Sequence, residues 1–211
     1  MQDRQDYPVQ FAVDYPDRDL NRLSTAFRIF VAIPILIVLG TVSGGEAIEL
    51  GNDAARGSAA AAGGLLFFGP LLMILFRQKY PRWWFDWNLQ LARFINRVFV
   101  YMALMDDRYP STDEVQSVHL NFPYPDVPND LNRWLPLVKW LAAIPHFILL
   151  LFLLIATLVV VIVAWFAILF TGRYPRDLFS FLEGVLRWSN RVTAYAFLLV
   201  TDRYPPFRLS P

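Results

Sequence analysis

The sequence contains no cysteine and only two histidines, His119 and His146, in 211 residues. Disulfides, thiol catalysis and thiolate metal sites are thereby excluded, and neither histidine has neighbours at metal-ligand spacing. GxSxG and HExxH motifs are absent, and no nucleophile–base pair can be named, so the chain reads as a non-enzyme with no catalytic, cofactor-binding or metal-binding residue. Gly44–Gly45 and Gly63–Gly64 are too isolated for a phosphate loop. Charge is also scarce. Asp, Glu, Lys and Arg make up 18% of the chain, against about a quarter in an ordinary soluble domain, and a net charge of +1 makes no electrostatic case for nucleic acid. The N-terminal stretch MQDRQDYPVQFAVDYPDRDLNR has no apolar run and does not read as a cleavable signal peptide.

What the chain has in excess is apolar length. Residues Leu131 to Phe170 carry no charge after Lys139 for about thirty positions, more than a helix in a soluble core needs. This predicts an integral membrane protein whose internal segments direct insertion.

The motifs come in pairs. DLNR at Asp19–Arg22 recurs at Asp130–Arg133, and AIP at Ala32–Pro34 recurs at Ala143–Pro145, both at an offset of 111. YPD at Tyr15–Asp17 answers Tyr124–Asp126. Downstream, LFRQKYPR (Leu75–Arg82) answers LFTGRYPR (Leu169–Arg176) at an offset of 94, followed by NRV at Asn96 and Asn190 and DRYP at Asp107 and Asp202. Matches in one order predict a tandem duplication, with repeat 1 in 1–110 and repeat 2 in 111–211.

Trp134, Val138–Trp140, Ala143–His146, Phe170–Arg176 and Thr201–Phe207 carry a pattern that resembles a bacterial membrane family described only as a domain of unknown function (DUF4389-like). The first half is a degenerate version, with Phe27–Arg28–Ile29 for VKW, Ile35 for the histidine and RQKYPR for TGRYPR. The resemblance covers nearly the whole chain and implies no activity.

The offset falls from 111 to 94, so the first half holds 17 residues that the second lacks. The polar stretch 44–58, with Glu46, Glu49, Asp53 and Arg56, is where that insertion belongs. As one helix, 134–170 would be about 55 Å long against a ~30 Å hydrocarbon core. The expectation is therefore an all-α membrane protein in which each copy is a transmembrane or re-entrant helical hairpin, 26–76 and 134–170, the second turning near Leu154–Ile155. The rival is a kinked helix, interfacial to Pro145 and continuous over 146–170. Of nineteen Lys and Arg, only Arg56 falls in 44–58. The positive-inside rule then places both termini in the cytoplasm of a bacterial inner membrane. Asp19 and Asp130 are candidate helix N-caps.

After each hairpin a Tyr-Pro-Arg step opens an amphipathic helix, 83–105 and 177–200. Asp86, Gln90, Arg93, Arg97 and Tyr101 line one face of the first, and Ser180, Gly184, Arg187, Arg191 and Tyr195 the same face of the second. Arg93 with Arg97, and Arg187 with Arg191, sit one turn apart and would repel without an anionic partner; the alternatives are a lipid headgroup, a carboxylate of the other copy, or simple exposure to water. Arg22 and Arg133 fall in a first helical turn, where the macrodipole disfavours a cation, and call for a negative group or a lipid phosphate. His146 is an ionisable group in an apolar segment, either functional or a neutral imidazole bonded to a backbone carbonyl. These seven residues are the candidate lipid or partner contacts. The expected role is a structural, accessory or membrane-organising component that contacts membrane lipids, as a homo-oligomer or a subunit of a larger complex. The alternative is a small transporter or lipid carrier with a path between the repeats.

Overall fold

The computed structural model describes residues 7–43 and 68–211. The polar loop expected at 44–58 and the beginning of the second apolar segment lie outside them. The chain is mostly helical, at 62%, but it is not all-α. Gln10–Val13 (β1) pairs antiparallel with Val118–Asn121 (β2), Phe11 facing Leu120 and Ala12 facing His119. Phe11, Val13, Val118 and Leu120 alternate inward along the two strands, as the period of two requires. Such a ribbon is marginal alone; here helices cover its inner face.

Those helices are α1 Arg22–Ala26, α2 Arg28–Ser43, α3 Phe68–Arg77, α4 Arg82–Met102, α5 Val127–Asp130, α6 Pro136–Ala142, α7 Ile144–Thr171 and α8 Arg176–Ala196. The N-cap of α1 is Asn21, whose side-chain oxygen accepts from the Ser24 N–H at 3.0 Å. Asp19 instead pairs with Arg173 at 3.1 Å, and Asp130 is the last residue of α5. The aspartate caps expected in DLNR are corrected accordingly. Asparagine, two residues on, fills that place in the first half.

The hairpin expected within 134–170 is also corrected. Helix α7 runs unbroken for 28 residues through Leu154–Ile155, about 42 Å at the usual rise. The only interruption is Ala143, between α6 and α7. Pro145 lies in the first turn of α7, where its missing N–H leaves no helical bond unmade. No residue from Leu151 to Ala156 favours a turn, so nothing stops the helix there. It ends at Gly172, whose φ of +78° is left-handed and whose N–H donates to the Ile168 carbonyl at 2.8 Å. Four residues later α8 begins and runs back along α7. The reversal thus lies between the apolar and the amphipathic helix, and α3 reverses into α4 in the same way, through Gln78 at φ +46°.

Three layers result. Helix α4 lies between α2 and β2, and α8 lies between α7 and β1. The strands are exchanged: β1, from the first half, sits on α8 of the second, and β2 sits on α4 of the first. The main core joins Phe11, Val13, Val118 and Leu120 to Phe85 and Leu89 of α4, Phe179 and Leu182 of α8, and the ends of α3 and α7 at Ile74 and Ile168. Two smaller clusters match each other: Ala32 with Phe94, Val98 and Tyr101, and Ala143 with Trp188, Val192 and Tyr195. On the outer layer, one stripe of α7 (His146, Ala164, Ile168) faces inward. Val161, Trp165, Phe147 and Leu150 flank that stripe, half-buried; the outer face of α7 is uncovered at Leu151, Leu154, Leu158 and Ile162, and α2 likewise exposes Ile29, Phe30, Ile33 and Ile37.

Candidate functional site

The polar faces of α4 and α8 meet water only at their starts, where Asp86, Gln90 and Ser180 are exposed. Arg97, Arg187 and Arg191 are buried, and their donors turn to the protein's own carbonyls. Arg93 donates to the Leu120 carbonyl of β2 at 2.9 Å, while Arg187 donates to the Phe11 carbonyl of β1 at 3.0 Å; those two residues face each other across the ribbon. One turn on, Arg97 donates to Ser111 at 2.9 Å and Arg191 to Ser210 at 3.0 Å. Between the helices, Asn96 and Asn190 exchange two amide hydrogen bonds at 2.8 and 2.7 Å. Burial pulls Arg97 and Arg191 below the ordinary arginine value, and their neighbours Arg93, Arg187 and Arg208 add to it. Among the described residues, only Arg187 of these arginines has a carboxylate at ion-pair distance, Glu183 at 2.7 Å; Leu89 stands at the matching place in α4.

Arg133 reaches the carbonyls of Leu75 and Phe76 at the C-terminal end of α3. Arg133 stands in the turn between α5 and α6, not in the first helical turn expected, and among the described residues its partner is a helix C-terminus, which carries partial negative charge. Arg22, exposed, lies beside Gly172 at the matching end of α7. His146 is fully buried; its Nδ1 accepts from the Trp188 indole at 3.0 Å and its ring stacks on Phe207 at 4.0 Å. The partner is thus a side-chain donor, not the backbone carbonyl expected, and Nε2 has no partner.

A second pair of cations, at matched positions, was not singled out by the sequence. Lys139 of α6 has no exposed surface; its Nζ donates to the Thr201 carbonyl and meets the Asp202 carboxylate, both at 2.7 Å, over the Tyr195 ring. Burial pulls its pKa down and Asp202 opposes that. Arg28, at the start of α2, is 2% exposed and donates to the Asp106 carbonyl at 2.9 Å, over the Tyr101 ring. The arrangement is the same but for the carboxylate. Asp107, the counterpart of Asp202, is held by Arg18 and the Asn21 N–H, and no carboxylate lies within ion-pair distance of Arg28 among the described residues. Arg28 Nε and Nη2 and Thr25 Oγ1 are buried without partners. Thr25 and Arg28 line a cavity of about 260 Å³ with Ile29, Leu104, Val161 and Trp165. The one signal in the sequence was arginine where the second half has the lysine of VKW.

Asp106 gathers the neighbouring loop. Burial opposes its ionisation, but the Ser117 hydroxyl at 2.6 Å and the Arg108 N–H and guanidinium outweigh that and hold the carboxyl below the usual range. A carboxylate depressed in the fold stabilises it above the unfolded value near ~3.9 and loses that contribution as pH falls through the lower, folded value. Melting of detergent-solubilised protein should therefore show an acid-induced loss below about pH 4 that shrinks in Ser117→Ala. An unchanged acid limb would refute the assignment.

No curated protein and no solved structure matches the chain. Residues 134–208, from just before α6 through α8 and beyond the DRYP motif, match the family described as Domain of unknown function (DUF4389), a span that includes Lys139, His146 and Asp202.

Proposed function

We propose that the chain is a non-enzymatic, membrane-organising protein of the bacterial inner membrane, held by its apolar outer layer. The observation that carries this is the uncovered surface of α7: the helix is long and apolar enough to cross a membrane, yet 6% of its most apolar 18-residue window is buried. Length alone would suit a crossing. The packing favours a different placement, with α7 lying in one leaflet along the membrane plane. Its inward stripe follows α8, which holds the half-buried Glu183–Arg187 pair, and the ribbon beyond exposes Gln10, His119 and Asn121. A vertical α7 would carry those polar groups, among them His119 beside Asp14 at 3.0 Å, to the depth of the hydrocarbon, where exposed polar and ionisable groups are costly. A horizontal one leaves them in water and acts as a wedge.

The two halves are further read as copies of one unit. Support comes from the matched contacts of Arg93 and Arg187, Arg28 and Lys139, and Asn96 and Asn190. On the cysteine-free background, single cysteines at Trp134, just before α6, and Arg173, just after α7, should react with an impermeant maleimide from the same, cytoplasmic side. Labelling from opposite faces would establish a crossing instead. Protein added to liposomes should tubulate or constrict them, and unaltered vesicles would end the membrane-shaping role.

A further inference from the structure

The cavity beside Arg28 is built from two kinds of surface. One end has the Arg28 guanidinium and the Thr25 hydroxyl, with three buried polar atoms lacking partners. The walls are Leu104, Met102, Val161 and Trp165, and the rim is Ile29 and Ile162, which are 70% and 57% exposed and belong to the uncovered outer layer. Asp106 and Asp107 act on Arg28 only from beyond ion-pair contact; a buried cation with no anion in contact is costly, and a buried donor without an acceptor adds to that cost. The second half meets the same demand internally, because Asp202 reaches Lys139 at 2.7 Å. In the first half the equivalent aspartate is turned to Arg18 and Asn21, and the space beside the cation is open towards the apolar layer.

We infer that this cavity binds a single-chain amphiphile with an anionic head, carboxylate or phosphate, the head meeting Arg28 and Thr25 and the chain leaving past Ile29 and Ile162 into the lipid. The cavity is just under the usual ~300–1,000 Å³ of a small-molecule pocket, so it holds the head and the first methylenes, not a whole lipid. The unpartnered atoms expose almost no surface as the cavity stands, so occupation turns the Arg28 side chain partly off the Tyr101 ring. The route of the chain rests on the reading of the outer layer as lipid-facing; the head site rests only on the cavity and its unpartnered donors.

Trp165 lines the cavity and its indole N–H is engaged with the Thr25 carbonyl at 3.1 Å, which gives a local optical probe. Delipidated protein in a non-ionic detergent would be titrated with a brominated fatty acid, with a brominated lysophosphatidate, and with the matching brominated alcohol as the neutral control. Both acids are expected to quench tryptophan fluorescence saturably and at least ten-fold more tightly than the alcohol, and the quench should largely vanish in Trp165→Phe. The acid that binds more tightly identifies the source as free fatty acid or phospholipid. Arg28→Gln should lose that ten-fold preference. Ile162→Trp, which narrows the rim without touching the buried charge, should weaken both acids while leaving the melting temperature near wild type. Equal binding of acid and alcohol, or unchanged affinity in Arg28→Gln, would overturn the site. Binding in micelles does not depend on how α7 lies in a bilayer, so labelling of Trp134 and Arg173 from opposite faces would refute the horizontal placement and leave this result standing.

Discussion

Replacing Asp202 by alanine is expected to destabilise the protein by about 3–5 kcal/mol, the range for removing one member of a buried ion pair. Lys139 would keep its charge with no exposed surface, facing only the Thr201 carbonyl and the Tyr195 ring. Asp202 also accepts the Asn132 N–H at 2.5 Å, so the turn that leads into α6 loses an anchor at the same time. Asp107→Ala is the control. Its own side chain is 8% exposed, but its ionic partner Arg18 is 55% exposed, so the cation left behind stays in water and the pair contributes only about 0–1 kcal/mol, with roughly 1 kcal/mol more for the bond to the Asn21 N–H. Two aspartates at matched positions should therefore differ by more than about 1 kcal/mol in denaturant unfolding of the solubilised protein. Adding Lys139→Met to Asp202→Ala should recover much of the loss, since the unpaired charge goes with it. Equal costs at Asp107 and Asp202, or no recovery in the double variant, would show that the pair does not act as described.

Arginine at Leu158 or Ile155, on the uncovered side of α7, is the second large effect. Both leucine and isoleucine are more than half exposed here, at 58% and 56%. In water such substitutions would fall within about 0.5 kcal/mol of neutral. In hydrocarbon an arginine costs up to about 2.5–3.5 kcal/mol, reduced where the side chain can reach the headgroups. The double variant Ile155→Arg/Leu158→Arg should therefore move the protein substantially from the membrane to the soluble fraction after carbonate extraction, while substitutions on the ribbon, such as His119→Arg, leave it in place. A double variant that stays in the membrane fraction would remove α7 as the anchor.

The elements that repeat a period over many residues were legible in the sequence. The amphipathic helices expected at 83–105 and 177–200 are found at Arg82–Met102 and Arg176–Ala196, because a one-face stripe sustained for about four turns is a strong helical signal. The short strands were not legible. Four residues of alternation in QFAV or VHLN carry little signal, and what fixes them is pairing across more than a hundred positions. The continuous helix α7 was ambiguous for a related reason. An unbroken apolar run has no period to distinguish one helix from two, and the inserted stretch of the first half argued for a turn that the second half does not make. Arginine partners were hidden because carbonyls have no letter in the sequence. Charge spacing shows that Arg93, Arg97, Arg187 and Arg191 need acceptors; only the fold shows that backbone oxygens of the strands and the loops supply most of them. Arg28 was missed because its distinctive feature is a carboxylate turned elsewhere.

The exchange of strands between the halves has a consequence for the order in which the molecule can be made. Strand β1 closes on α8, and the Tyr7 hydroxyl donates to the Arg203 carbonyl, 196 positions away. Contacts this distant in sequence form late and slow folding. While residues 1–110 emerge during synthesis, β1 has neither β2 nor α8 to settle on, and α4 lacks the strand that accepts from Arg93. The first half must therefore wait, with its apolar layer uncovered, until α8 has been translated. On the proposed membrane placement, insertion of α2 and α3 into lipid during that interval would shield the nascent chain from aggregation, and the bilayer would serve as a chaperone before it served as an address.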